Sequence, residues 1–214
     1  MVRRFRPRQL LEIGSGMSTE VSATAALANR HDGHDTELFA IDPEPRVELT
    51  RTTRELVQHQ RHSALDVPLR RFESLGRNDI LFIDTTHTVK LGSEVNHLVL
   101  EVLPRLRPGV LVHFHDIFLP YEYPPAFQGG STYMAEQYLL HAFLCMNPSY
   151  EVLLATHALA RLRPERLQAL VPSFDPGRDQ HAVPPRLREH GPSSFWLRRR
   201  DSPQNGMSAN RHSV

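Results

Sequence analysis

The stretch from Leu10 to Thr19, LLEIGSGMST, decides the fold. Its apolar run Leu10, Leu11, Ile13 reads as a buried strand that carries one acid, Glu12, and breaks at Gly14-Ser15-Gly16. Ser18 and Thr19 follow as candidate helix N-caps, and an alanine-rich helical pattern runs from Val21 to Asn29. Strand, glycine turn, helix is the unit with which an α/β protein brings its backbone against a nucleotide-like ligand. Glycines turn tightly because they lack a Cβ, and the free N–H groups at the start of the helix attract an anionic group.

Outward from this unit, strand and helix patterns alternate along the chain. Strands are expected at Gln9–Ile13, Glu37–Ile41, Leu56–Gln60, Asp79–Asp84, Val110–His115, Tyr150–Thr156 and Ser194–Arg198. The clearest helix runs from Ser93 to Leu106, with apolar residues at the three- and four-residue spacing of one face. Others are expected over Thr132–Met146 and Pro164–Leu170. The pattern predicts an α/β fold: a doubly wound, Rossmann-like, seven-stranded and mostly parallel sheet with helices on both faces. One domain is expected over residues 1–200, followed by a polar, aperiodic tail at 201–214 that reads as disordered.

Composition narrows the class. The formal net charge of +1 implies no global pull toward nucleic acid, and no nucleic-acid partner is expected. The arginines at both ends read as solvated. A single cysteine, Cys145, excludes an internal disulfide and fits a reducing compartment; its apolar surroundings place it in the core. No apolar run reaches the length of a membrane span and no signal-type segment opens the chain, so a soluble, cytoplasmic protein is expected. Oligomeric state is not readable.

The spacing of the turn selects among ligands. A dinucleotide fingerprint needs a third glycine where Thr19 stands. An acid two residues before the first glycine instead resembles the E/D-x-G-x-G motif of class I S-adenosylmethionine (SAM) methyltransferases, with Ser18 at that family's usual third glycine. The next strand ends at Asp42, 26 residues past Gly16, where an acid accepts two hydrogen bonds from a ribose diol. Pro43 fixes the turn behind it. The third strand leads into His62-Ser63-Ala64, near which an adenine ring would lie.

Two later strands end in polar clusters, Asp84-Thr85-Thr86-His87 and His113-Phe114-His115-Asp116. In an alternating sheet these ends share the rim of Gly14, Gly16 and Asp42, and so many ionisable groups beside an apolar core are costly without a purpose. The block from Asp79 to Pro124 resembles a bacterial class I methyltransferase family, the methyltransferase domain of type 24. That family carries patterns similar to D-I-L-F-I-D-S-S-H and L-P-R-L-x-P-G-V-x-V-H-x-H-D-I-F-x-P-x-E-Y-P. The likeness spans roughly residues 9 to 200 and includes the closing strand with Trp196.

The resemblance implies SAM as cofactor, held by Glu12, Gly14, Ser15, Gly16, Ser18, Asp42, Ala64 and Asp84. It implies methyl transfer to an oxygen, or a nitrogen, of a small molecule or sugar. His87 and His115 are the candidate bases, because imidazole titrates near neutral pH, with Asp116 or Asp84 orienting them. Glu122 and Tyr123 would shape the acceptor pocket. His113 is expected to be buried and bonded to its neighbours. The block also has the layout, at a distance, of metal-dependent catechol-type O-methyltransferases. By that likeness Asp84, Asp116 and His115 would hold a divalent ion, His87 falls at the catalytic lysine, and Ile117 replaces an asparagine ligand. A different class is also open: a non-catalytic SAM-fold binding protein lacking a complete substrate lid, since only eight residues precede Gln9.

Overall fold

The structure is a computed structural model that describes residues 1–127, 133–175 and 191–201. Its strands are β1 (Gln9–Ile13), β2 (Glu37–Ile41), β3 (Val57–Gln60), β4 (Ile80–Ile83), β5 (Leu111–Phe114), β6 (Tyr150–Ala155) and β7 (Phe195–Arg199). They form one sheet in the order β3-β2-β1-β4-β5-β7-β6. β1 through β5 are mutually parallel, and β7 runs antiparallel between β5 and β6. β1 therefore lies between β2 and β4, and the crevice at their carboxyl ends is the switch point where such folds take ligands.

Strand alternation divides the core. Leu11, Ile13, Leu81, Ile83, Val112 and Phe114 face one layer. Leu10, Ile80, Phe82, Leu111 and Trp196 face the other. Both faces are buried, so the parallel strands read as nearly continuous apolar runs. Each fully buried leucine or isoleucine contributes about 1.5–3 kcal/mol.

The helices include α1 (Val2–Phe5), α2 (Met17–His31), α3 (Arg51–Leu56), α4 (Leu69–Glu73), α5 (Glu94–Asn96), α6 (Leu103–Arg105), α7 (Glu136–Leu144), α8 (Thr156–Leu162) and α9 (Pro164–Leu170). α2 presents small side chains to the sheet, among them Ser22, Ala23 and Ala26, which lets it pack closely. It begins at Met17, earlier than expected. Neither Ser18 nor Thr19 is its N-cap, because both side chains are turned back to β1 and the glycine turn.

The helix expected from Ser93 to Leu106 is interrupted. Ser93 does cap it, accepting from the Asn96 N–H at 3.3 Å. Between α5 and α6, however, residues His97–Val102 form a π-helical segment. Pro104 explains the widening: it has no N–H to donate, and its ring would clash with the Leu100 carbonyl in a regular α-helix. α7 is shorter than expected. It ends at Leu144, so Cys145 falls beyond it and is exposed rather than in the core. The tail after residue 201 lies outside the described residues. Among the described residues no helix is long and apolar enough to cross a membrane.

Candidate functional site

The glycine turn is locked between two strands. The Gly14 N–H donates to the Ile41 carbonyl of β2 at 2.9 Å, and the Asp84 N–H donates to the Ile13 carbonyl at 2.9 Å. Gly14 has φ +97°, and a Cβ there would lie 2.2 Å from the Asp84 carbonyl oxygen. Both conformation and space thus demand glycine. At Gly16 a Cβ would meet only Val47, at 3.6 Å. The Gly16 N–H donates to the Thr19 hydroxyl at 2.9 Å, which ties the turn to α2. Glu12 lies behind the turn, 1% exposed. It accepts from the Ser18 hydroxyl at 2.5 Å. Burial pushes its carboxyl up to about 7, against the lowering by the Ser18 and Thr19 hydroxyls.

In front of the turn a cleft of about 350 Å³ opens across the ends of β1, β2 and β4. Gly14, Ser15, Asp42, Ala64 and Asp84 line it, whereas Glu12, Gly16 and Ser18 do not. The Asp42 carboxylate accepts from the Ser15 hydroxyl at 2.7 Å and from the Glu44 N–H at 2.9 Å. Pro43, Ser63, Thr85 and Thr86 also line the cleft, as do Glu44, Arg46 and Glu94, which sequence reasoning missed. Glu94 had a readable signal, since it follows the capping Ser93. Its carboxylate accepts from the Thr86 N–H at 3.1 Å and so closes the loop after β4.

Asp84 joins this cleft to the acid–histidine rim. His87 Nε2 stands 3.5 Å from one Asp84 oxygen and 3.9 Å from one of Asp116. Its Nδ1 lies 2.7 Å from Glu136, a residue the sequence did not single out. Glu136 is fully buried, and its own N–H and that of Ala135 donate to the His87 carbonyl at 3.1 and 2.8 Å. Burial alone would lower the His87 pKa, but Asp84, Glu136 and Asp116 outweigh it and raise it to about 10. The three acids thus favour the charged form of His87.

His115 is different. It is 40% exposed, with Nδ1 3.1 Å from Asp116 and 4.0 Å from Asp84. The N–H does not point along the Asp116 contact, which stays electrostatic rather than a formed hydrogen bond. Burial works against the charged form, but the two carboxylates prevail and raise its pKa. Asp116 is held the other way. Burial would raise it, yet His115, the Ser193 hydroxyl at 2.7 Å and His87 bring it down to about 2.

His113 does not bond to its neighbours as expected. Its ring lies between Phe82 and Trp196, with centroids 4.0 and 4.6 Å away, and its buried Nδ1 has no hydrogen-bond partner. Burial drives its pKa well down and keeps it neutral. In the following loop Glu122 accepts from Tyr138 and from the Tyr123 N–H, and the buried Tyr123 hydroxyl accepts from the Gln137 N–H at 3.1 Å. These residues brace α7. The loop's continuation, residues 128–132, lies outside the described residues.

Asp84, Asp116 and His115, the residues of the divalent-ion reading, meet at this rim. Among the described residues no three histidine, cysteine or acidic side chains form a ligand set. Ile117 is buried in the core, pointing away from the rim.

Strand order, the antiparallel β7 and the glycine turn at the switch point define a class I methyltransferase fold. Residues 11–117, half of the chain, match the model of the methyltransferase domain family, and the chain belongs to that family. No curated protein sequence matches it. Among solved structures, the CmcI apo-structure is similar at 14% identity and TM-score 0.49, covering 94% of this chain and 68% of that one. The plantazolicin methyltransferase BpumL, solved with a triazolic desmethylPZN analog and SAH, is similar at 12% identity and TM-score 0.48, covering 91% of this chain and 78% of that one. PKMT2 from Rickettsia typhi gives 17% identity and TM-score 0.43, covering 93% and 50%. These likenesses are too loose to carry over any ligand.

Proposed function

We propose that this chain is a SAM-dependent methyltransferase that moves a methyl group to an oxygen, or a nitrogen, of a small molecule or sugar. The observation that carries the reading is the continuity of the site. One cleft is walled by the Gly14 turn and Asp42, and its floor, Asp84, also belongs to the acid–histidine rim.

Bound SAM supplies a methyl already activated on a sulfonium. The chain's task is alignment and handling of the acceptor's proton. Asp42 accepts the ribose hydroxyls once Ser15 yields its place. Ala64 and Ser63 border the adenine. Asp84, facing the cleft, favours the positive charge of the sulfonium. His115, the solvent-facing imidazole of the rim, takes the acceptor's proton, and Asp116 orients it. His87 holds the two carboxylates in place from behind.

Asp42→Ala is expected to weaken binding of S-adenosylhomocysteine (SAH) by about 10- to 100-fold, the loss of one or two charge-assisted hydrogen bonds. Isothermal calorimetry on the folded chain checks this. A wild-type chain that binds neither SAM nor SAH would sink the whole reading. Where an acceptor is turned over, the rate should rise with pH through a midpoint above the ordinary imidazole value of about 6.5, because the carboxylates raise His115. A flat or falling profile from pH 6 to pH 9 would remove His115 as the base.

A further inference from the structure

We propose that Arg46 reads the carboxylate at the methionine end of the bound cofactor, an inference that rests on the SAM reading above. The cleft is lined by four carboxylates, those of Asp42, Glu44, Asp84 and Glu94, and by a single Lys, Arg or His side chain, Arg46. SAM brings the opposite pattern, two cationic groups (sulfonium and ammonium) and one anionic group. The acidic walls suit the cations. The same walls repel the carboxylate unless a fixed cation receives it, and Arg46 is the one available among the described lining residues.

Arg46 is also uncommitted. It makes no hydrogen bond, ion pair or ring contact with any described residue. Of the acids near it in sequence, Asp42 accepts from Ser15 and the Glu44 N–H, Glu48 lies 3.6 Å from Arg54, and Glu44 lines the same cleft without pairing to Arg46. Its place is constrained by Pro43 and Pro45, which fix the backbone of the loop leading to it. The next residue, Val47, lies 3.6 Å from where a Cβ on Gly16 would stand, which sets this loop beside the glycine turn. A guanidinium at that point matches a carboxylate with two parallel N–H···O bonds.

The test compares two ligands by calorimetry on the full chain. SAH has the amino-acid end, and methylthioadenosine has the same adenosine and thioether without it. Arg46→Ala should weaken SAH about tenfold, the size of one charge-assisted pair, and leave methylthioadenosine within twofold. Arg46→Lys should recover part of the SAH loss. Equal effects on both ligands, or no effect on either, would overturn the assignment while the cofactor reading stands. Failure of the wild type to bind either ligand would overturn both. Circular dichroism of the variants, at an exposed position, guards against misfolding.

Discussion

Gly14→Val is expected to abolish SAH binding and to destabilise the chain by at least about 3 kcal/mol. Two costs combine. The residue sits at φ +97°, which a β-branched side chain resists, and its Cβ would lie 2.2 Å from the Asp84 carbonyl oxygen. That oxygen is backbone and cannot swing aside as a side chain would. Relief requires β1 and β4 to part at the hydrogen bond between the Asp84 N–H and the Ile13 carbonyl, which is also the cleft's floor. For a chain of this size the melting temperature should fall by roughly 6–12 °C. Gly33→Ala is the control: it too has positive φ, +82°, but nothing within 4 Å of its Cβ position. It should cost only the conformational term, about 1–2 kcal/mol, and leave SAH binding intact. Equal losses in the two variants would mean that crowding against Asp84 contributes nothing.

Much of this fold is legible in the sequence because strand burial writes itself as short apolar runs. β1 and β2 fall on the expected residues, and β4 and β5 lie inside the expected ones. The short helices α1, α3 and α4 were not read. With four to six residues each they complete too few turns to show a period. The apolar face of the Ser93–Leu106 helix was read correctly, but the π-helical break was not, although Pro104 announces it.

The site divides in the same way. Gly14, Asp42 and Asp84 end strands beside turn residues, so position along the chain places them at the cleft. Glu12 carries the same motif yet faces away, because strand alternation sends it beneath the turn to Ser18. Glu136 was invisible. An acid in the first turn of a helix is ordinarily a solvated partner of the helix dipole, and only the fold brings it to His87, 49 residues away. That contact also gives His87, which sequence alone casts as a base, a buried acid as its partner.

Removing Glu136 tests that contact directly. Glu136→Leu leaves the His87 Nδ1–H facing an apolar group at a site where the histidine side chain is 11% exposed. Breaking a buried pair by deleting one partner costs about 3–5 kcal/mol. Glu136→Gln keeps an oxygen that accepts the hydrogen bond but removes the charge, and should cost less, about 1–2 kcal/mol. The pH dependence separates this pair from simple loss of packing. The His87 pKa is raised in the fold from 6.5 to about 10, so its contribution is complete below pH 6.5 and is lost as pH rises through 10. The wild-type melting temperature should therefore fall over that window. In Glu136→Leu, with only Asp84 and Asp116 left to hold the imidazolium, the fall should be smaller and begin at lower pH. Tyr123, which burial and then Glu136 push up, titrates above this window, so the difference between the two curves isolates His87. Parallel curves with equal melting temperatures would show that Glu136 does not charge His87. The rim would then rest on a neutral histidine, and His87 would gain weight as a candidate base.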